Sequence, residues 1–249
     1  MIELKNISAG YGKNKILLDL SVCFEKGKLT SIVGPNGCGK STLLKTALGI
    51  IPHSHGEILI NEVNIRTLKR NAIAKQIAYL AQGKGTPDMT VEQMVLHGRF
   101  PHLSYPRQYK SRDHEIAAAA LETVGINELA QKPVHALSGG MRQSVYIAMA
   151  LAQDTEYIFL DEPTTYLDIS HQLELMKLLR KLADDGKGIV TVMHDLPLTF
   201  KFSDEIVVLA EGKIQAVGTP GEICDNRAVE QIFNIQIQRE NNEFYYNAY

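Results

Sequence analysis

Gly34-Pro35-Asn36-Gly37-Cys38-Gly39-Lys40-Ser41 has the spacing of a loop that wraps phosphate. Glycines let backbone N–H groups approach phosphate oxygens, Lys40 reaches the β and γ oxygens, and the Ser41 hydroxyl can hold Mg²⁺. From average residue usage, such a pattern arises by accident in roughly one chain of this length in a hundred. Further on, Leu137-Ser138-Gly139-Gly140 offers a second glycine-rich phosphate contact, which ordinary nucleotide-binding enzymes lack. Tyr157-Ile158-Phe159-Leu160-Asp161-Glu162-Pro163 reads as a buried strand ending in two carboxylates, Asp161 placed for a metal and Glu162 for an attacking water. A carboxylate there accepts the proton of water as it attacks a γ-phosphate, so Glu162 is the expected general base. The plain alternatives are a chance glycine-rich turn and a solvated acidic turn. The presence of both motifs in one chain argues against each.

Such residues work only if the elements around them hold them in place. Residues 1–33 read as short strands: residues 2–7 alternate with period two, Gly10 and Gly12 break the run, and residues 28–33 form a β-rich stretch ending at Gly34. A helix is expected over residues 41–48, giving the strand, glycine turn and helix order in which free N–H groups and the helix dipole face a phosphate. Residues 86–154 read as helical, with Asp113 capping one helix that ends near Gly125 and another helix starting at Ser138. Strand signals return at residues 157–160 and 188–192. Between them, Ile169, Leu173, Met176 and Leu179 repeat at helical period. Alternating β and α elements imply an α/β fold with a mainly parallel sheet. Residues 205–217 read as a terminal hairpin around Glu211-Gly212, and the polar, Tyr-rich residues 241–249 as a frayed end.

Composition narrows the class. With 249 residues and 45% apolar content, the chain can bury a real core. Its longest apolar runs are too short to cross a bilayer, and Met1-Ile2-Glu3-Leu4-Lys5 lacks a secretory apolar region. Three widely spaced cysteines, Cys23, Cys38 and Cys224, fit reduced thiols rather than a disulfide framework or zinc site. A net charge of -2 argues against a nucleic-acid face, and Lys69, Arg70 and Lys75 read as a solvated helix face. Cys38 sits near a helix N-terminus, which favours thiolate and predicts sensitivity to alkylation; the competing reading is a small filler.

The motif set resembles the ATP-binding subunits of ABC transporters over residues 1 to about 220. Residues 137–141 resemble the family signature, Gln82 the Q-loop, Tyr166-Leu167-Asp168 the D-loop, His194 the switch histidine and Tyr11 the aromatic that stacks on adenine. The resemblance implies a P-loop NTPase (RecA-like) core with a mainly parallel sheet, an N-terminal antiparallel β region and an inserted helical subdomain. Residues 1–85 and 155–220 would form the core, 86–154 the helical subdomain and 221–249 a C-terminal extension of one ABC ATPase domain. ATP would be bound by Tyr11, Gly34, Pro35, Asn36, Gly37, Cys38, Gly39, Lys40, Ser41 and Thr42, and from a partner by Ser138, Gly139 and Gly140. Mg²⁺ would be held by Ser41, Gln82 and Asp161, with Glu162, His194, Gln82 and Lys40 catalytic. Asp168 reads both as a helix N-cap and as a dimer-interface residue. Two departures stand out: Met141 replaces the usual signature Gln and Ser144 a usual basic residue, which puts the strength of inter-subunit closure in question.

The resemblance further implies a head-to-tail pair of identical ATPases docked on transmembrane permease subunits at the cytoplasmic face of the membrane. An extracytoplasmic binding protein would feed the permease, and no nucleic acid is expected. The permease would dock on the Q-loop and residues 86–111, among them Met89, Val91, Met94, Phe100 and Tyr105, with Arg99 as a contact. Residues 97–102, 148–154 and 164–172 look like the ATPases of ferric siderophore, haem and cobalamin uptake. The competing classes are a soluble ABC ATPase acting on ribosomes or nucleic acid and a P-loop kinase. The first would show two cassettes or a long coiled-coil insertion, and a basic patch, and the second has no need of Ser138, Gly139, Gly140 or His194.

Overall fold

The computed structural model describes residues 1–83, 85–165, 167–240 and 243–248. The chain opens with β1 (Ile2–Tyr11) and β2 (Asn14–Phe24), longer strands than the glycine positions predict, joined by a turn at Gly12. Gly10 does not end β1, because it pairs with Lys15 inside the ladder. Irregular pairing at residues 4–10 absorbs the bend, with Asn6 in the left-handed region at φ 51°. With β4 (His53–Ile60) and β5 (Val63–Asn64) these strands make an antiparallel sheet ordered β2-β1-β4-β5.

A second sheet is ordered β10-β9-β3-β8-β7-β6. Its strands β3 (Leu29–Val33), β6 (Ile77–Leu80), β7 (Tyr157–Asp161), β8 (Gly188–Val192) and β9 (Glu205–Ala210) run parallel. Only β10 (Lys213–Gly218) is antiparallel, closing the expected hairpin with β9. The period-two rule explains why β7 is buried on both sides. Tyr157 and Phe159 face one core while Ile158 and Leu160 face the other.

The first core lies between the two sheets and encloses Leu43, Leu44 and Ala47 of α1 (Lys40–Ala47). There the Phe24 and Phe159 rings meet edge to face at 5.5 Å, worth about 0.5–1.5 kcal/mol beyond area burial. The short helix α2 (Arg70–Ala74) covers its rim.

A separate apolar cluster forms within α3 (Val91–Leu96), α4 (Ser111–Val124) and α5 (Gly139–Ala152). α5 serves two cores: Val145, Ala148 and Ala152 face the helical cluster, while Tyr146, Ile147 and Ala150 face the large sheet. α4 ends at Gly125 in a left-handed cap, as expected, but Asp113 is not its cap. Lys110 occupies that position, and Asp113 sits in the first turn, accepting from the Lys110 N–H at 2.9 Å.

α6 (Ile169–Asp184) packs on the sheet through Leu175, Met176, Leu179 and Leu182. Ile169, at the first position of the helix, lies off that stripe and is exposed. α7 (Leu196–Phe202), α8 (Pro220–Asp225) and α9 (Ala228–Phe233) follow. The tail corrects the expected fraying: β11 (Ile235–Glu240) and β12 (Glu243–Ala248) pair antiparallel, and Phe244 packs on Phe200 of α7 with ring centroids 4.9 Å apart. Asn241, Asn242 and Tyr249 lie outside the described residues.

Candidate active site

The phosphate loop leaves β3 at Val33 and enters α1 at Lys40. Gly34 has no room for a side chain, since a Cβ there would fall 2.0 Å from the Leu209 carbonyl oxygen. Gly39 precedes the helix at φ 111°, a conformation that L side chains rarely adopt. Together they fold the loop so that the first turn of α1 presents its backbone N–H groups outward. Lys40 is buried, and its Nζ donates to the Gly34 carbonyl at 2.7 Å and the Pro35 carbonyl at 3.0 Å. A cation is therefore fixed inside the loop. Asn36 and Gly37 line its outer mouth, and Thr42 is buried one step into the helix.

Cys38 does not behave as a helix-activated thiol. It is buried in the first core, and burial raises its pKa, outweighing the lowering effect of Lys40. Its burial in the core favours the filler reading.

β7 delivers the two acids. Asp161 is buried at the strand end, where its Oδ1 accepts from the Ser41 hydroxyl at 2.8 Å and its Oδ2 from the Tyr79 hydroxyl at 3.2 Å. Burial, then the Asp161 charge, push the Tyr79 phenol above its ordinary range, so it remains a proton donor at neutral pH. Glu162 follows in the left-handed region at φ 52°. Such a residue costs on the order of 1–3 kcal/mol and persists where the surroundings hold it. Three side chains do so: Gln82 Nε2 donates to Oε2, the Thr165 hydroxyl donates to the same oxygen at 3.3 Å, and His194 Nε2 lies 2.7 Å from Oε1. Gln82 comes from the loop after β6, and His194 from the residues after β8.

Thus Lys40, Ser41, Asp161, Glu162, Gln82 and His194 converge from four different segments. Sequence reading missed Tyr79 and Thr165. The signal for Thr165 was its position three residues after Glu162, within the turn that leaves β7; that for Tyr79 was the parallel pairing that sets it beside Phe159.

Ser138 caps α5, its hydroxyl accepting the Met141 N–H at 3.3 Å. Gly139 borders a cavity of about 280 Å³ that also touches Gln82, Asp161 and Glu162. No hydrogen bond among the described residues joins Ser138, Gly139 or Gly140 to the phosphate loop. Gly140 packs under the His171 ring. Asp168 caps α6: Oδ1 accepts from the His171 N–H at 3.0 Å and the Ser170 hydroxyl at 2.7 Å, and Oδ2 lies 2.7 Å from His171 Nδ1. These contacts, the backbone N–H first, hold its carboxyl well below the usual range. Tyr166 lies outside the described residues. Tyr11 ends β1 with its ring half-exposed, beside Gly10, Gly12, Lys45 and Ile50 on the rim of a surface pocket.

The expected docking contacts divide. Val91 is fully buried in the helical core, whereas Phe100 and Tyr105 are exposed. Arg99 is no surface contact: it is buried, with Nε on Asp113 Oδ1 at 3.0 Å and Nη1 on the Ala152 carbonyl at 2.9 Å. Arg107 instead lies over the Phe100 ring, 4.3 Å from its centroid. No helix among the described residues is long and apolar enough to cross a membrane.

A family model described as ABC transporter matches residues 17–165. The chain is 41% identical over 239 residues to the petrobactin import ATP-binding protein FpuD of Bacillus anthracis, covering 95% of this chain and 88% of that protein. It is 42% identical over 239 residues to the iron(3+)-hydroxamate import ATP-binding protein FhuC of Bacillus subtilis, covering 95% and 89%. Among solved structures, a dimeric bacterial ABC transporter cassette superposes with a TM-score of 0.77 at 28% identity, covering 88% of this chain and 99% of that one.

Proposed function

This chain belongs to the ABC transporter family as an ATP-hydrolysing subunit, and from that premise we propose that it powers import of ferric siderophores or a chemically related chelate such as haem or cobalamin. Its similarity to FpuD and FhuC, whose names specify petrobactin and iron(3+)-hydroxamate import, supports the cargo class. The observation that carries the mechanism is the grip of Gln82, Thr165 and His194 on the Glu162 carboxylate, beside the Ser41 and Asp161 pair.

In this reading the loop 34–41 cradles the phosphates of ATP, with Lys40 turning from the loop carbonyls to the β and γ oxygens. Tyr11 offers its exposed face to the adenine. Magnesium suits the donor set, because the Ser41 hydroxyl, the Asp161 carboxylate and the Gln82 amide oxygen are hard oxygen ligands. When bound, the ion neutralises charge on the phosphate oxygens. Tyr79 fixes the orientation of Asp161. Glu162 accepts the proton of the attacking water, and Gln82 and His194 orient that water and the carboxylate.

Two copies pair head to tail, so that Ser138 and the Gly139 and Gly140 N–H groups of one reach the γ-phosphate held by the other. The dimeric cassette among the structural relatives supports this arrangement. Contacts that form only with the γ-phosphate make ATP a differential ligand for the closed pair, and hydrolysis releases it. Asp168 stands at the edge of that interface. We assign the helical cluster of residues 86–154 to an inserted subdomain and residues 221–249 to a C-terminal extension. Permease subunits dock on the former through the exposed Phe100 and Tyr105, at the cytoplasmic face of the membrane.

The test is Glu162→Gln. Its ATPase rate should fall by about 10²-fold or more while ATP binding persists, and light scattering with ATP and Mg²⁺ should show a dimer that the wild type populates only transiently. A variant that stays monomeric at saturating ATP would overturn the sandwich.

A further inference from the structure

Helix α5 touches the catalytic segment at a point that the mechanism above leaves unused. Tyr146, two turns beyond Gly139, sends its hydroxyl to the Gly85 carbonyl oxygen, three residues after Gln82. One turn earlier on the same helix face, Arg142 Nη1 donates to the Thr86 hydroxyl at 3.4 Å. Both links leave the helix that begins with the signature glycines and end on the loop that carries Gln82. Within that loop Gly83 is in the left-handed region at φ 66°, and a Cβ added at Gly83 or Gly85 would meet no described residue within 4 Å. The Tyr146 ring, by contrast, is buried in the sheet-side core. A buried ring thus carries a hydroxyl that reaches the loop bearing Gln82.

We propose that Tyr146 is a positioning residue for ATP hydrolysis, tying the Gln82 loop to α5 so that the amide on Glu162 and the signature glycines move as one body. The inference rests on the reading of Gln82 and Glu162 given above. The covalent path from Gln82 to Gly85 is three residues, and the helical path from Tyr146 back to Gly139 is seven, about 10 Å of axis. A displacement of Gln82 toward a nucleotide therefore pulls on the helix through the Tyr146 hydroxyl and the Gly85 carbonyl, with the Arg142 link as a second strand. Burial pushes the phenol pKa up, outweighing the lowering effect of Arg142, so the hydroxyl keeps its proton at working pH. The plain competing account is a core tyrosine whose hydroxyl merely takes a nearby carbonyl. That account gives no link between Tyr146 and Gln82 in catalysis.

A double-mutant cycle separates the two accounts. ATPase kinetics are measured on the full chain for wild type, Tyr146→Phe, Gln82→Ala and the double variant. Tyr146→Phe keeps the ring and removes the hydroxyl. It should leave the KM for ATP within about twofold and lower kcat by about three- to tenfold, the worth of one hydrogen bond. In the Gln82→Ala background the same change should cost less than about twofold. Equal losses in both backgrounds, an unchanged kcat, or a loss confined to KM would overturn the proposal while leaving the active-site reading intact. A Gln82→Ala enzyme with wild-type kcat would overturn that reading and the proposal together.

Amide hydrogen exchange gives a second readout if Gln82→Ala turns over too slowly. In Glu162→Gln protein with ATP and Mg²⁺, protection of residues 138–145 should be lost on adding Tyr146→Phe, while protection of residues 34–41 remains. Equal protection of residues 138–145 with and without the hydroxyl counts against Tyr146. Arg142→Ala, which leaves the core untouched, should shift kcat in the same direction by a smaller factor; the opposite direction refutes the shared link.

Discussion

Arg99 carries its charge inward, and the consequence is stability rather than recognition. Its guanidinium is spent on Asp113 and the Ala152 carbonyl in the helical core. Removing one partner of a buried pair strands the other charge, so Arg99→Ala should destabilise the protein by about 3–5 kcal/mol in urea unfolding at neutral pH. The Lys110 N–H first, and Arg99 after it, hold the Asp113 carboxyl below its ordinary value. A depressed folded pKa means that the stabilisation is complete above about pH 4, the unfolded value, and is lost as pH falls through the lower folded one. The gap between wild type and Arg99→Ala should therefore narrow below about pH 4, and a gap that stays constant down to acid would show that the carboxylate charge is not what Arg99 stabilises. Cys38 offers the opposite lesson, of a reactive residue type made inert. With its thiol buried and its pKa raised, iodoacetamide at pH 8 should label the more exposed Cys23 and Cys224 while leaving Cys38 unmodified until the chain unfolds; mass spectrometry of the labelled protein reads this directly. Helix position alone suggested a thiolate, and only the packing against the first core corrects it.

At the scale of elements, what the sequence made legible was whatever local chemistry dictates. The loop 34–41, the strand ending in Asp161 and Glu162, the cap at Ser138 and the left-handed stop at Gly125 all follow from residue type and spacing, and the structure has them. What sequence reading missed depends on partners far along the chain. β4 owes its existence to pairing with β1, and β6 to pairing with β7, across separations that no local pattern reveals; β5 then pairs locally with β4. The same holds for the grip on Glu162: three residues could be named for the site, but only the parallel order of β6, β7 and β8 brings Gln82 and His194 to one carboxylate. The C-terminal hairpin is the clearest case. Its polar sequence reads as a loose end, yet Phe244 rests on Phe200 and Ile237 joins the sheet-side core. Phe244→Ala should cost about 1–3 kcal/mol of stability through lost packing and leave the KM for ATP unchanged, because the hairpin packs on α7 and supplies none of the side chains around Glu162. A change in KM without a change in stability would mean that the hairpin acts on the nucleotide site instead.

For the whole molecule, the question is how ATP-driven closure reaches a membrane partner. The architecture separates the tasks: two sheets around α1 hold the phosphate loop and Glu162, while the cluster of α3, α4 and α5 has its own apolar core and meets the sheet-side core mainly through α5, with Met94 and Val124 at the seam. A helical body with its own core can tilt as a unit against the sheet by sliding at that seam. Its exposed face carries Tyr105, which is 96% exposed, and Phe100 under Arg107. An aromatic that contributes nothing to its own fold suits contact with a partner, and aromatic and arginine anchors dominate binding energy at interfaces. Tyr105→Asp should accordingly leave unfolding within about 0.5 kcal/mol of wild type and leave ATP hydrolysis by the isolated chain unchanged. Recovery of a multi-span permease with the affinity-tagged chain, from membranes solubilised gently in detergent, should fall by roughly tenfold, the effect of losing about 1.4 kcal/mol of binding energy. Undiminished recovery would move the dock away from this face, toward the apolar groove formed by Leu48, Ile50, Ile73 and Tyr79. That alternative has a mechanical appeal of its own, since Tyr79 bonds Asp161 directly. Ile50→Asp, at an exposed position on that groove, would then be the change that abolishes assembly, so the pair of variants assigns the permease to one face or the other.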